Sequence, residues 1–245
     1  MSQSLTNSPK FRPAQSRMIE EQIATAFFGR RKGKTLSPTQ QNLIQDLLPA
    51  LCLNPTKPID DIHTVFDHNP SEIWMEVGFG GGEHMVRQAQ NNPHVGMIGC
   101  EPFINGVVKA LAAMSEASIG TIRLYDEDAA HILDWLPDAS LDRFFLLYPD
   151  PWHKKRHWKR RFVSHKNLGR IIRVLKPGGI FRFASDIDTY IDWTLDHVAS
   201  HASLQEECSD PSDRLDAWSD WQRTRYEEKA FREGRKPQYL SFVRK

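Results

Sequence analysis

The stretch Ile73-Trp74-Met75-Glu76-Val77-Gly78-Phe79-Gly80-Gly81-Gly82 decides the fold. Ile73 to Val77 reads as a buried strand, after which glycines fall at alternate positions ahead of a helical segment starting at Glu83. Such glycines permit a tight turn and let a ligand lie against bare backbone. Outward from this turn the chain alternates. Helices are expected at Glu83 to Gln90, Ile104 to Ser115, Ala129 to Trp135, Phe162 to Leu175 and from Asp186 to about Ser200. Strands are expected at Val95 to Cys100, Thr121 to Tyr125, Leu141 to Leu147 and Ile180 to Ala184, with a last one at Gln238 to Arg244. Lys176-Pro177-Gly178-Gly179 reads as a sharp turn that ends a helix and starts a strand. Strands separated by helices of this length imply βαβ units, hence an α/β fold with a doubly wound, mostly parallel sheet.

What the glycine turn binds follows from what it lacks. A dinucleotide fingerprint beginning at Gly78 needs glycine where Glu83 stands, and a carboxylate there would repel a pyrophosphate at the helix N-terminus. No Gly-Lys-Ser/Thr follows, which excludes a phosphate-loop NTPase. A ligand without phosphates but with a cationic amine suits Glu76 beside Gly78, Gly80 and Gly82. Glu101, ending the second strand, is set to accept both hydroxyls of a ribose. Asp128, after the third strand, is available either to an adenine amino group or as the N-cap of the helix at Ala129. S-adenosylmethionine has an aminoacyl group, a ribose and an adenine, so it is the expected cofactor, ahead of a nicotinamide dinucleotide.

A second stretch carries the chemistry. Leu147-Tyr148-Pro149-Asp150-Pro151-Trp152 closes a strand, and the ten residues from Trp152 to Arg161 hold six Lys/Arg and two Trp. Cations neutralise phosphates and indoles offer flat faces to bases. Asp150 lies at the C-terminal edge of a strand, where α/β folds keep their ligands, and proline on both sides fixes its backbone. It reads as the floor of a base pocket, with the cations as the approach to it.

Before the alternating region, Met1 to Ala14 is polar and aperiodic, and Arg17 to Phe28 has the spacing of a short amphipathic helix. Gly29-Arg30-Arg31-Lys32-Gly33-Lys34 is a second basic cluster, read as a flexible arm that either meets nucleic acid or merely links. Thr39 to Leu51 is expected to be helical, with Ser37 as N-cap and Pro38 at the first position. These divisions predict an N-terminal tail, arm and helix over 1–58 and a catalytic domain over 59–245. Net charge is only +1, so affinity for nucleic acid has to come from local clustering. Three dispersed cysteines favour reduced thiols in a cytoplasmic setting, and no apolar run suits a signal peptide or a membrane span. His63, Asp67 and His68 match no metal-ligand spacing, and no metal is expected.

Taken together, Glu-Val-Gly-Phe-Gly-Gly-Gly (76–82), Tyr-Pro-Asp-Pro-Trp-His-Lys-Lys-Arg-His-Trp-Lys-Arg-Arg (148–161) and Thr-Arg-Tyr-Glu (224–227) resemble the bacterial tRNA (guanine-N7)-methyltransferase family. The resemblance runs from about Phe28 to the C-terminus. It implies a Rossmann-like class I methyltransferase of the cytoplasm, using S-adenosylmethionine on a guanine in the tRNA variable loop, at tRNA position 46. By motif it implies Glu76, Glu101, Asp128 and Asp150 at the donor, with Asp150 also catalytic. Lys154, Asp186, and Thr224 to Glu227, including Arg225 and Tyr226, would meet the tRNA. Around Asp128 the family pattern fits with a one-residue adjustment, so Asp126 and Glu127 are alternatives there. A monomer or homodimer without an obligatory partner subunit is expected. The rivals are a small-molecule or protein methyltransferase, and a non-catalytic RNA-binding module.

Overall fold

The computed structural model describes residues 28–208 and 210–245, so the predicted N-terminal tail and nearly all of the Arg17 to Phe28 helix lie outside the described residues. A seven-stranded sheet runs in the order β3-β2-β1-β4-β5-β7-β6. Its strands are β1 Glu72–Val77, β2 Val95–Cys100, β3 Ile122–Tyr125, β4 Leu141–Leu147, β5 Leu175–Ser185, β6 Leu204–Glu206 and β7 Gln238–Arg244. β3, β2, β1, β4 and β5 pair in parallel, while β7 runs antiparallel to both β5 and β6. The expected α/β fold with a mostly parallel, doubly wound sheet is the one observed.

Helices cover both faces, which is why the strands are apolar on both sides. The helices are α1 Pro38–Asp46, α2 Leu48–Leu51, α3 Glu83–Asn91, α4 Ile104–Glu116, α5 Ala129–Trp135, α6 His165–Val174, α7 Asp188–Ala199 and α8 Arg225–Arg232. On one face Ile73, Met75, Phe144 and Phe181 pack with Ile132 of α5, Ile171 of α6 and Tyr190 of α7. On the other Trp74, Met97 and Phe145 pack with Met85 of α3 and Leu111 of α4. Val77 and Glu76 therefore leave β1 toward opposite faces, as the two-residue period of a strand requires.

Two elements differ from the sequence expectation. The single helix at Thr39 to Leu51 is split at Leu47: α1 starts at Pro38, capped by Ser37 in a capping box with Gln40, and α2 starts again with Pro49 in its first turn. Leu53 then donates its N–H to the Leu124 carbonyl at 2.8 Å, which ties this entry segment to β3. Lys176-Pro177-Gly178-Gly179 is not a turn ahead of a strand but an irregularity inside β5. Leu141 pairs with Leu175 and Arg143 with Ile180, so the partner strand carries extra residues there, and Gly178 takes them up at φ +79°.

Candidate active site

A cavity of about 330 Å³ opens at the C-terminal ends of β1, β2 and β4, where the strand order reverses. Gly78 and Gly80 form its floor at φ +74° and +57°, a backbone conformation open to glycine and strained for other residues. A Cβ at Gly78 would meet nothing within 4 Å and would stand in the cavity itself. Gly82, at φ +82°, does other work: a Cβ there would come 2.7 Å from that of Ala110, so this glycine lets α3 and α4 approach and does not line the cavity.

Glu101 ends β2 with its carboxylate divided between two backbone donors. Oε2 accepts from Gly80 N–H at 2.8 Å and Oε1 from Phe103 N–H at 2.9 Å. Burial pushes its pKa up, against the pull of those two N–H groups. Each oxygen keeps a further lone pair for a ligand hydroxyl. Asp128 is the N-cap the sequence offered, its Oδ1 accepting from Ala130 N–H at 2.9 Å, and the residue also lines the cavity. Asp126 instead accepts from Cys52 Sγ, and Glu127 lies 3.8 Å from His131; neither lines it.

Glu76 is not brought to the cavity. It is buried on the other face of β1, with Oε2 2.6 Å from His84 Nδ1, and the His84 ring packs on Trp221. Strand alternation is the reason, since Val77 next to it takes the cavity side.

Asp150 stands between this cavity and a second one of about 260 Å³, and lines both. Tyr148 at φ +49° and Trp152 at φ +47° bracket it, two bulky residues in the left-handed region around two prolines. Such backbone costs on the order of 1–3 kcal/mol per residue and persists only where the surroundings enforce it. Here it aims the carboxylate into the joint between the cavities. That carboxylate makes no hydrogen bond or ion pair among the described residues, and the surrounding protein raises its pKa by desolvation.

The remaining predicted residues divide. Tyr226 lines the first cavity, and Arg225 lies over Gly80 with its guanidinium 3.3 Å from the Tyr226 hydroxyl. Thr224 caps α8 through the Glu227 N–H, and Glu227 is a buried hub. Both of its oxygens accept from Trp221 Nε1 at 3.0 Å, and Oε1 also accepts from the Tyr239 hydroxyl. Its contacts are thus internal. Asp186 is engaged by Arg235 at 2.5 Å, and Lys154 is exposed ahead of the 3-10 turn Lys155–Arg160.

What sequence reasoning missed is the roof. The segment expected to be a flexible arm is stitched to the start of α4: Ile104 N–H donates to the Arg31 carbonyl at 3.0 Å. Gly33 N–H donates to Asn105 Oδ1 at 2.7 Å, and Asn105 Nδ2 to the Lys34 carbonyl at 2.8 Å. Gly29 and Arg30 consequently line the cavity. Its signal was Asn105, an amide with both a donor and an acceptor in the first turn of a helix. Among the described residues there is no group of three His, Cys, Asp or Glu able to hold a metal, and no helix long and apolar enough to cross a membrane.

Residues 70–239 match a family profile described as "Putative methyltransferase". The tRNA (guanine-N(7)-)-methyltransferase of Brucella melitensis is 54% identical over 93% of this chain and 100% of its own. That of Agrobacterium fabrum is 51% identical, over 90% of this chain and 95% of its own. Among solved structures, TrmN from Thermus thermophilus superposes with a TM-score of 0.51 at 14% identity, over 84% of this chain and 48% of that one. The 16S rRNA methyltransferase KamB does so with a TM-score of 0.50 at 15% identity, over 72% and 89%. At such identities these two speak for the fold alone.

Proposed function

The chain belongs to the tRNA (guanine-N7)-methyltransferase family, and from that membership we infer that it transfers a methyl group from S-adenosylmethionine to N7 of a guanine in tRNA, in the variable loop, in the cytoplasm. The observation that carries this reading is Asp150: an unpartnered carboxylate at the joint of a glycine-floored cavity and a cation-lined one.

The residues fit the donor. Gly78 leaves open the volume that a side chain would fill, Glu101 has spare lone pairs for ribose hydroxyls, and Asp128 is available to the adenine amino group. Glu76 and Gly82 support from behind, Glu76 by holding His84 against Trp221 and Gly82 by admitting α4. When bound, the donor supplies an electrophilic methyl on a sulfonium.

Guanine N7 carries an in-plane lone pair, so no proton has to be removed before attack. The protein's task is alignment, and stabilisation of positive charge developing on the purine. Asp150 suits both: its oxygens can accept from guanine N1–H and the exocyclic amine, an edge adenine cannot match, and its charge opposes that of the methylated ring. His153 and His157 have little to do as bases in such a reaction. Lys154 and the other cations of the loop meet tRNA phosphates, and Arg225 and Tyr226 border the bound donor on the substrate side.

The test is methyl transfer from labelled donor to unfractionated tRNA, digestion to nucleosides and identification of the labelled one. Label in 7-methylguanosine is the expected result. Label elsewhere, or none, overturns the assignment.

A further inference from the structure

One cation of the run that follows Asp150 is turned inward. Arg161 borders the second cavity, yet it is only 3% exposed, and its guanidinium is spent on the protein itself. Nε donates to the Pro151 carbonyl at 3.0 Å, while the two terminal nitrogens donate to the Thr189 carbonyl at 2.7 Å and the Thr189 hydroxyl at 3.1 Å. Aromatic rings surround it: Trp158, Tyr190 and Trp193 have their centres 4.3, 4.6 and 5.5 Å from the guanidinium carbon. Burial lowers its pKa, and it has no carboxylate partner among the described residues. A buried charge of this kind is costly, and neither a surface contact nor an ion pair accounts for it here.

What Arg161 holds is the strained segment around the acid. The Pro151 carbonyl lies in the peptide plane leading into Trp152, so gripping that oxygen fixes the plane about which Trp152 takes φ +47°. Thr189 is the second residue of α7, which is seated in the core through Tyr190 and Ile191. The grip is therefore anchored on a packed helix and not on the loop. We propose that Arg161 is a positioning residue for methyl transfer: by bolting the Pro151 carbonyl to the first turn of α7, it enforces the left-handed backbone that aims the Asp150 carboxylate into the joint between the cavities. Only a guanidinium has the fork for this, reaching a carbonyl on one side and a carbonyl with a hydroxyl on the other. The proposal rests on the reading of Asp150 as the group that meets guanine, and it sets Arg161 apart from the cations that meet tRNA phosphates.

The test is single-turnover methyl transfer at saturating donor and tRNA, with Arg161→Lys and Asp150→Ala combined in a double-mutant cycle. Arg161→Lys keeps the charge, but a single nitrogen cannot span Pro151 and Thr189. It should slow transfer by a factor on the order of 10² in the wild-type background and by less than about twofold in Asp150→Ala. S-adenosylhomocysteine affinity should stay within about threefold. The slope of log tRNA affinity against log salt should be unchanged, whereas Lys159→Gln should reduce it by about 0.7 to 0.9. Thr189→Val, at an exposed site, removes one of the three acceptors and should slow transfer by about three- to tenfold, again only where Asp150 is present. It keeps the test decisive if Arg161→Lys fails to fold. An equal loss in both backgrounds for either variant overturns the proposal, as does an unchanged rate, and so does a salt slope that falls as it does for Lys159→Gln. A rate indifferent to Asp150→Ala would instead overturn the reading of Asp150 itself, so the two failures are told apart.

Discussion

The backbone N–H of Gly80 donates to the Glu101 carboxylate at 2.8 Å, so the turn that follows β1 and the acid that ends β2 form one unit. Gly106 seals it, since a Cβ there would lie 2.2 Å from the Gly80 carbonyl oxygen. The carboxylate thus has a double task, holding the turn and offering lone pairs to a ligand.

Burial raises the Glu101 pKa, and the ionised form is the better acceptor of ribose hydroxyls. Donor binding then favours ionisation, so affinity should be constant at high pH and fall as pH drops through a midpoint above the usual glutamate range. Calorimetric titration of S-adenosylhomocysteine across pH reads this. Glu101→Gln should bind more weakly and lose the acid limb.

Gly78→Ala and Gly234→Ala separate strain from obstruction. Both positions have positive φ and open space for a Cβ, and both variants should lose about 1–2 kcal/mol of stability in urea unfolding. Only Gly78 lines the cavity, so only Gly78→Ala should lower S-adenosylhomocysteine affinity, by more than about tenfold.

Asp150→Ala should slow the single-turnover methyl-transfer rate by a factor on the order of 10²–10³. Donor affinity should stay within about a few-fold, since Glu101 and the glycine floor are intact. A parallel collapse of donor affinity would make Asp150 a donor contact alone.

Glu227→Ala would strand the Trp221 and Tyr239 donors in the interior, each at about 1–3 kcal/mol. The expected outcome is a large fall in the urea midpoint. Loss of tRNA binding at unchanged stability would return Glu227 to the substrate surface.

If about four phosphates are neutralised, the logarithm of tRNA affinity should fall against the logarithm of salt with a slope of about −3 to −4. Filter binding at several salt concentrations measures it, and a slope near zero would remove the tRNA grip from the basic loop.

The parallel half of the fold was legible because its strands are buried on both faces and its helices are punctuated. Val95–Cys100, Ala129–Trp135 and Leu141–Leu147 fall where hydrophobic runs and caps place them, and so does the antiparallel Gln238–Arg244. Leu204 to Arg232 was not legible, for its order comes from long-range pairs: Trp218, Trp221 and Tyr239 pack edge to face, and Asp220 accepts from Arg143 and Arg182. In the site, Glu101, Asp128 and Asp150 were legible as acids at or just beyond strand ends, and the structure places all three on the cavity lining. Glu76 was assigned to the cavity by proximity in sequence, which cannot reveal the face of a strand from which a side chain leaves unless the register is known.

The position of β7 has a consequence for how the protein is made. β7 is synthesised after both β5 and β6, yet it lies between them. On a ribosome adding about 5–20 residues per second, the edge of β5 stays open for seconds while the segment through α8 emerges. Phe181 and Phe183 sit on that edge, with no strand to shield it until Leu240 and Phe242 arrive. Slowed or interrupted translation beyond α7 should therefore yield a sheet with an adhesive border, and the nascent chain is the state in which this protein most needs a chaperone.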